Sequence, residues 1–186
     1  SCIILDEIAC KPEDVCAKKA ATGIGCERNF SARIAVGLAL AASEKGQEVL
    51  ILTPYRAQVR LLRKKIRALD PASKKRISVG TIHRHQGAER DVVILDTVKG
   101  AISWSAPEIG MLLNVAISRA RKHFILLASH AERNTPILGR LAGLIRVATL
   151  DVPIYDDNGQ QEMLAPAVPV GLRTSLFGDA PAAVSG

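Results

Sequence analysis

The chain has 186 residues, 48% of them hydrophobic, and a net charge of +7. That length and apolar content suit one α/β domain with a sizeable core and exclude a second full domain within these residues. Aromatics make up only 3%, which calls for an aliphatic core and excludes a broad platform of stacked rings, leaving Tyr55, Trp104 and Phe30 among the few candidates for a ring contact.

The charge is unevenly placed. Between positions 56 and 90 eleven Lys and Arg stand against two acids, a concentration that points to a polyanion-facing surface or, more plainly, to a solvated helix face. Neither a secretory signal nor an apolar span of membrane length is visible, so a cytoplasmic, intracellular chain with no membrane partner is expected. The cysteines, Cys2, Cys10, Cys16 and Cys26, lack CxxC spacing and a nearby histidine. They read as free thiols rather than as a zinc site.

In chain order, residues 2–5 form a short apolar strand leading to Asp6 and Glu7. An apolar run followed by Asp-Glu has the form of a Walker B element. Such an element works with a phosphate loop, however, and no glycine here is followed by lysine, so GxxxxGK[ST] is absent. Residues 11–27 are polar and glycine-containing, an irregular connection with TGIG as its turn. Arg28 stands where a dinucleotide fingerprint would need its third glycine. From Asn29 or Ser31, both good N-cap types, a helix is expected through Ile34, Val36, Leu38 and Leu40 to Gly46 as its stop. Residues 48–53 are an aliphatic strand of the kind buried on both faces of parallel sheets, which puts Thr53, Tyr55 and Arg56 at a carboxyl edge. Pro54 breaks the strand. Val59, Leu62, Ile66 and Leu69 then recur at helical spacing, with the basic residues on the other side and residues 70–72 as the end.

The most informative stretch is residues 79–96, VGTIHRHQGAERDVVILD, answered by residues 112–122, LLNVAISRARK. Residues 77–81 should form a strand, residues 83–91 a loop with Gly87 at its turn, and residues 92–95 a second strand. Loop chemistry is then delivered at a strand's carboxyl end, where open α/β sheets place their ligands. Thr81 can donate a hydroxyl to a nucleic-acid phosphate, Gln86 can donate and accept, Gly87 lets backbone approach a ligand, and Glu89 can accept from a ribose hydroxyl. His83 and His85 lack a third ligand, so they read as solvated or phosphate-facing imidazoles, and no metal site is expected. Arg90 and Asp91 can pair with each other or with neighbours.

Leu112, Leu113, Val115, Ala116 and Ile117 bury a short helix that leaves Arg119, Arg121 and Lys122 at its exit, and residues 124–128 follow as a buried strand. The loop at 99–110 carries Trp104, either packed beneath it or serving as a base-contacting wedge. Thr135 or Asn134 caps a helix through Ile137, Leu141 and Leu144, and residues 148–152 add a last strand. From Pro153 onward Pro, Ala, Gly and Asp accumulate. The chain therefore divides into a domain at 1–152 and a linker or partly disordered tail at 153–186.

TIHRHQGAERDVVILDT resembles motif V, LLNVAISRARK motif VI, and ILTPYRAQ the motif IV region of superfamily 1 helicases. The closer match is the branch containing the nonsense-mediated-decay RNA helicases and related bacterial DNA helicases. The likeness follows the family's order over residues 3–129. It implies a RecA-like α/β fold, the P-loop NTPase architecture of a parallel sheet with helices on both faces, and the second, C-terminal of two motor domains.

By this resemblance Arg119 is an arginine finger for ATP hydrolysis. Gln86, Gly87, Glu89, Arg119 and Arg121 face the nucleotide, while Thr53, Tyr55, Arg56, Thr81 and His83 face single-stranded DNA or RNA. ATP and Mg²⁺ would be held mainly by an N-terminal RecA-like domain, the implied partner, so this chain alone is expected to be inactive. The family's adenine-stacking aromatic and its NxxEA pattern are not matched at Glu27 and NFSAR, where Phe30 is the nearest ring. Two alternatives stand beside this reading: a non-catalytic α/β nucleic-acid-binding module that keeps the fold without the motor, and an Arg119 that merely pairs with Glu89.

Overall fold

The computed structural model describes residues 1–8, 11–21, 24–69, 76–82, 89–98, 105–144, 154–156 and 159–162. Its centre is a parallel sheet of five strands: β1 (Cys2–Ile4), β4 (Val49–Thr53), β5 (Ile77–Thr81), β6 (Arg90–Asp96) and β7 (Ala120–Ala128). They lie in the order β1-β7-β6-β4-β5. Successive side chains of a strand point to opposite faces. Val49, Ile51, Val92, Ile94, Ile125 and Leu127 accordingly enter one core, and Leu50, Leu52, Val93, Leu95, Leu126 and Ala128 the other. Both faces are buried, as expected of aliphatic strands joined by crossover helices.

The first core is covered by α2 (Asn29–Glu44) and α3 (Arg56–Leu69), and the second by α4 (Ala106–Ile117) and α6 (Pro136–Leu144). This is the RecA-like α/β arrangement expected from sequence. Helix α2 stops at Gly46, whose φ of 79° belongs to the left-handed region. The Gly46 N–H donates to Ser43 O and the Gln47 N–H to Ala42 O, which satisfies two terminal carbonyls in a Schellman arrangement.

Several expectations needed revision. The N-cap of α2 is Arg28, not Asn29 or Ser31, and it has no side-chain cap bond. Ser31 turns its hydroxyl to a buried carboxylate instead. Residues 11–27, read as irregular, contain a short helix α1 (Pro12–Val15) and an antiparallel pair, β2 (Lys18–Lys19) with β3 (Cys26–Glu27). Helix α4 starts at Ala106, six residues ahead of Leu112, because Pro107 suits a first turn and Glu108 accepts from the Ser105 N–H at 2.8 Å. Strand β7 already begins at Ala120, so Arg121 and Lys122 lie on a strand rather than at a helix exit.

A further short helix, α5 (His130–Arg133), is set by the Ser129–Glu132 capping box. Packed structure also continues past residue 152. Strand β8 (Ile154–Tyr155) pairs with β9 (Gln161–Glu162), and Ile154 is fully buried in the α2–α3 core. Cys10, the TG of TGIG, the helix end at 70–72, the loop at 83–88, Trp104 and the strand expected at 148–152 lie outside the described residues.

Candidate functional site: two edges of one sheet

Because all five strands run the same way, the sheet has a carboxyl edge and an amino edge, and the candidate residues divide between them. Thr53 stands opposite Thr81 in the β4–β5 register, at the carboxyl edge. Tyr55 and Arg56 follow directly, where Pro54 ends β4 and α3 begins. Arg56 is exposed and Tyr55 half-buried, whereas Thr53 is fully buried and its Oγ1 has no hydrogen-bond partner among the described residues. Tyr55, Arg56 and Thr81 therefore reach the surface of this edge, with Thr53 beneath it.

Glu89, Arg119 and Arg121 are at the opposite edge. β5 and β6 flank β4 and all three are parallel, so the connection from β5 must bring the chain back to the amino end of β6. Thr81 therefore ends β5 at the carboxyl edge, whereas Glu89 precedes β6 at the amino edge and not at the carboxyl end where it was expected. The Arg90 N–H donates to Arg119 O at 2.9 Å, locking the start of β6 to the residue that precedes β7. Arg121 Nε donates to Glu89 Oε2 at 3.2 Å, so the expected alternative, an Arg119–Glu89 pair, is replaced by an Arg121–Glu89 pair.

Asp91 takes Lys122 at 3.1 Å and the Glu48 N–H at 3.1 Å, while Arg90 lies 3.9 Å from Glu48. The Glu48 N–H and Lys122 hold the Asp91 carboxyl below its usual range. Arg119 is 8% exposed, and its Nη1 is buried without a hydrogen-bond partner among the described residues. A buried, unpaired donor costs about 1–3 kcal/mol, more when charged. Its planar fork matches phosphate or carboxylate oxygens. His83, Gln86 and Gly87 lie outside the described residues. Among the described residues no group of His, Cys, Asp and Glu can hold a metal ion, and no helix is long and apolar enough to cross a membrane.

Sequence reasoning missed a buried ionic cluster at the carboxyl edge. Arg28 Nη1 donates to Glu132 Oε2 at 2.9 Å and Nη2 to Asp96 Oδ1 at 3.3 Å, with all three side chains at most 2% exposed. Ser31 Oγ donates to Asp96 Oδ2 at 2.9 Å, and Gln58 Nε2 donates to the same oxygen at 2.7 Å. Burial lifts the Asp96 carboxyl above its usual range, against the opposing pull of Arg28, Gln58 and Ser31. Burial opposes the charge of Arg28 as well, but Glu132 and Asp96 outweigh it and raise the guanidinium's pKa. Beside the cluster is a cavity of 300 Å³ lined in part by Asp6, Arg28, Val98 and Glu132. Val98, two residues past Asp96, has a φ of 53°, a strained value for a β-branched side chain. The one available signal was the S-x-x-E spacing of Ser129 and Glu132.

The chain is 30% identical over 97 residues to the "Probable RNA helicase armi" of Drosophila melanogaster, covering 47% of this chain and 8% of that protein. It is 30% identical over 99 residues to the "Putative helicase MOV-10" of Gallus gallus, covering 46% of this chain and 10% of that protein. The "DNA polymerase alpha-associated DNA helicase A" of Schizosaccharomyces pombe is 29% identical over 93 residues, 47% of this chain and 13% of that protein. The chain thus matches only about a tenth of the length of these curated relatives. A family model described as an AAA domain matches residues 10–131, well over half of the chain, and the chain belongs to that AAA-domain family.

Proposed function

We propose that this chain is the C-terminal motor half of an ATP-dependent superfamily 1 helicase acting on DNA or RNA. Its amino edge would serve the nucleotide and its carboxyl edge a single strand. The observation that carries the reading is Arg119: a largely buried guanidinium whose backbone is tied to Arg90 and which has one nitrogen lacking a partner among the described residues. ATP with Mg²⁺, held mainly by an N-terminal RecA-like partner domain, would supply the transferable phosphoryl group. Arg119 would offer its fork to the phosphoryl oxygens, where charge builds in the transition state and water is scarce. The backbone bond from Arg90 to Arg119 keeps that fork in register with Glu89. Glu89 can accept from a ribose hydroxyl, and Arg121 balances its charge. At the other edge, Thr81, Tyr55 and Arg56 would follow a strand's backbone, with the basic side of α3 continuing the positive surface. The relatives' printed names support this reading, since each calls its protein a helicase.

The test is an assay of the purified chain with and without single-stranded oligonucleotide. The expected result is strand binding without ATP turnover above background, because the chain has no GxxxxGK[ST] to cradle the phosphates. Robust turnover by this chain alone, stimulated by strand, would overturn the half-motor reading. Strand binding by a parent polypeptide without a P-loop would favour the non-catalytic module.

A further inference from the structure

Open α/β sheets hold ligands in the crevice where neighbouring strands send their connections in opposite directions. Here that point lies between β6 and β4. After β4 the chain crosses by α3 to β5, whereas after β6 it crosses by α4 on the other face to β7. The crevice is filled by the chain itself, through Asp96 at the end of β6, Gln58 in the first turn of α3, and Arg28 and Ser31 at the start of α2.

Gln58 is the joint of this plug. It is fully buried, its Oε1 accepts from the Arg28 N–H at 2.9 Å, and its Nε2 donates to Arg28 O at 3.0 Å as well as to Asp96. The first turn of α3 is closed by the Val59 N–H donating to Tyr55 O at 3.1 Å, so a hold on Gln58 within that turn is also a hold on the segment bearing Tyr55 and Arg56. The strand that ends in Asp96 begins beside Arg119.

We infer that Gln58 is a positioning residue for the strand-binding edge: by gripping the Arg28 backbone and Asp96 it fixes where Tyr55 and Arg56 stand relative to β6. The inference rests on the proposed strand-binding role of that edge. A polar plug of this kind specifies one arrangement, because a displaced Gln58 would leave the Arg28 N–H and one Asp96 oxygen with fewer partners in a dry interior.

The experiment is a double-mutant cycle on the full 186-residue chain, reading the affinity of a fluorescently labelled single-stranded oligonucleotide. In the unaltered chain Arg56→Ala should weaken binding roughly tenfold; in a Gln58→Met background it should cost less than about twofold, since coupled sites are non-additive. Lys64→Ala, on the exposed side of α3, should cost the same factor in both backgrounds. A merely structural Gln58 would leave both costs unchanged. Ser31→Ala, which trims the same cluster more gently, repeats the cycle if Gln58→Met loses its cooperative melting transition. Equal cost of Arg56→Ala in folded proteins with and without the cluster change would overturn the inference while leaving strand binding intact. Absence of strand binding by the unaltered chain would remove the functional reading and this inference together.

Discussion

Arg121 Nε donates to Glu89 Oε2 at 3.2 Å, so Arg121, beside Lys122 on Asp91, ties the β7 start to the β6 start, and Arg119 is left out of that pair. Both partners are more than half exposed, and exposed pairs of this kind are worth about 0–1 kcal/mol. Arg121→Ala should therefore lower stability by no more than about 1 kcal/mol in a denaturant titration, with the difference shrinking in high salt. A loss above about 2 kcal/mol would mean that the pair organises the edge rather than decorating it.

Arg28 should behave differently. It is 2% exposed and answers two buried carboxylates, and removing one member of a buried ionic cluster costs about 3–5 kcal/mol. Arg28→Met should lower the melting temperature by roughly 10 °C, given about 2–4 °C per kcal/mol for a domain of this size. A shift under about 2 °C would show that the cluster contributes little.

Asp96 gives the cluster a pH signature. Burial raises its carboxyl pKa in the folded chain, so between the ordinary value of 3.8 and the raised one the folded state binds more protons than the unfolded state. Its contribution is complete below 3.8 and is lost as pH rises through the raised value. The stability of the unaltered chain relative to Asp96→Asn should accordingly fall as pH climbs from about 4 toward neutrality. Chemical denaturation of both proteins across that range measures it; a difference that rises with pH would reverse the assignment.

Much of this fold was legible in the sequence, and the misses have physical causes. Aliphatic runs at 49–53 and 77–81 announced buried strands, and Val59, Leu62 and Ile66 announced the inner side of α3, because burial writes a period into the chain. Strands β6 and β7 start earlier than their apolar runs suggest, since Arg90, Arg121 and Lys122 are strand residues at a solvated edge and carry no apolar signal. The buried cluster left only the S-x-x-E spacing of Ser129 and Glu132 as a local signal, and that spacing marks a helix start rather than a buried charge. Arg28, Asp96 and Glu132 are far apart in sequence, and nothing local distinguishes a charge that will be buried from one that will be solvated. The division of the candidate site between two edges also needed the strand order, since it depends on β5 and β6 lying on opposite sides of β4.

The basic side of α3 should steer binding to single strands. Lys64 and Arg67 are exposed, while Arg63 Nη2 is already engaged with Val79 O at 2.7 Å. Replacing Lys64 and Arg67 by Gln should reduce the steepness with which affinity falls as salt rises, by about 0.7 on a logarithmic plot for each phosphate no longer neutralised. An unchanged slope would make these side chains a solvated helix face only.

If Arg119 acts on the transferring phosphoryl group as proposed, steady-state ATP hydrolysis by a polypeptide that joins this chain to a P-loop motor domain will report it. A finger of this kind is worth about 10³ to 10⁵ in turnover, so Arg119→Ala should nearly abolish strand-stimulated hydrolysis while nucleotide affinity changes far less. Arg119→Lys should rescue poorly, because a point charge does not reproduce the fork, and Arg121→Ala should cost much less. Turnover of Arg119→Ala within about threefold of the unaltered protein, with Arg121→Ala inactive, would show that Arg119 is not the finger.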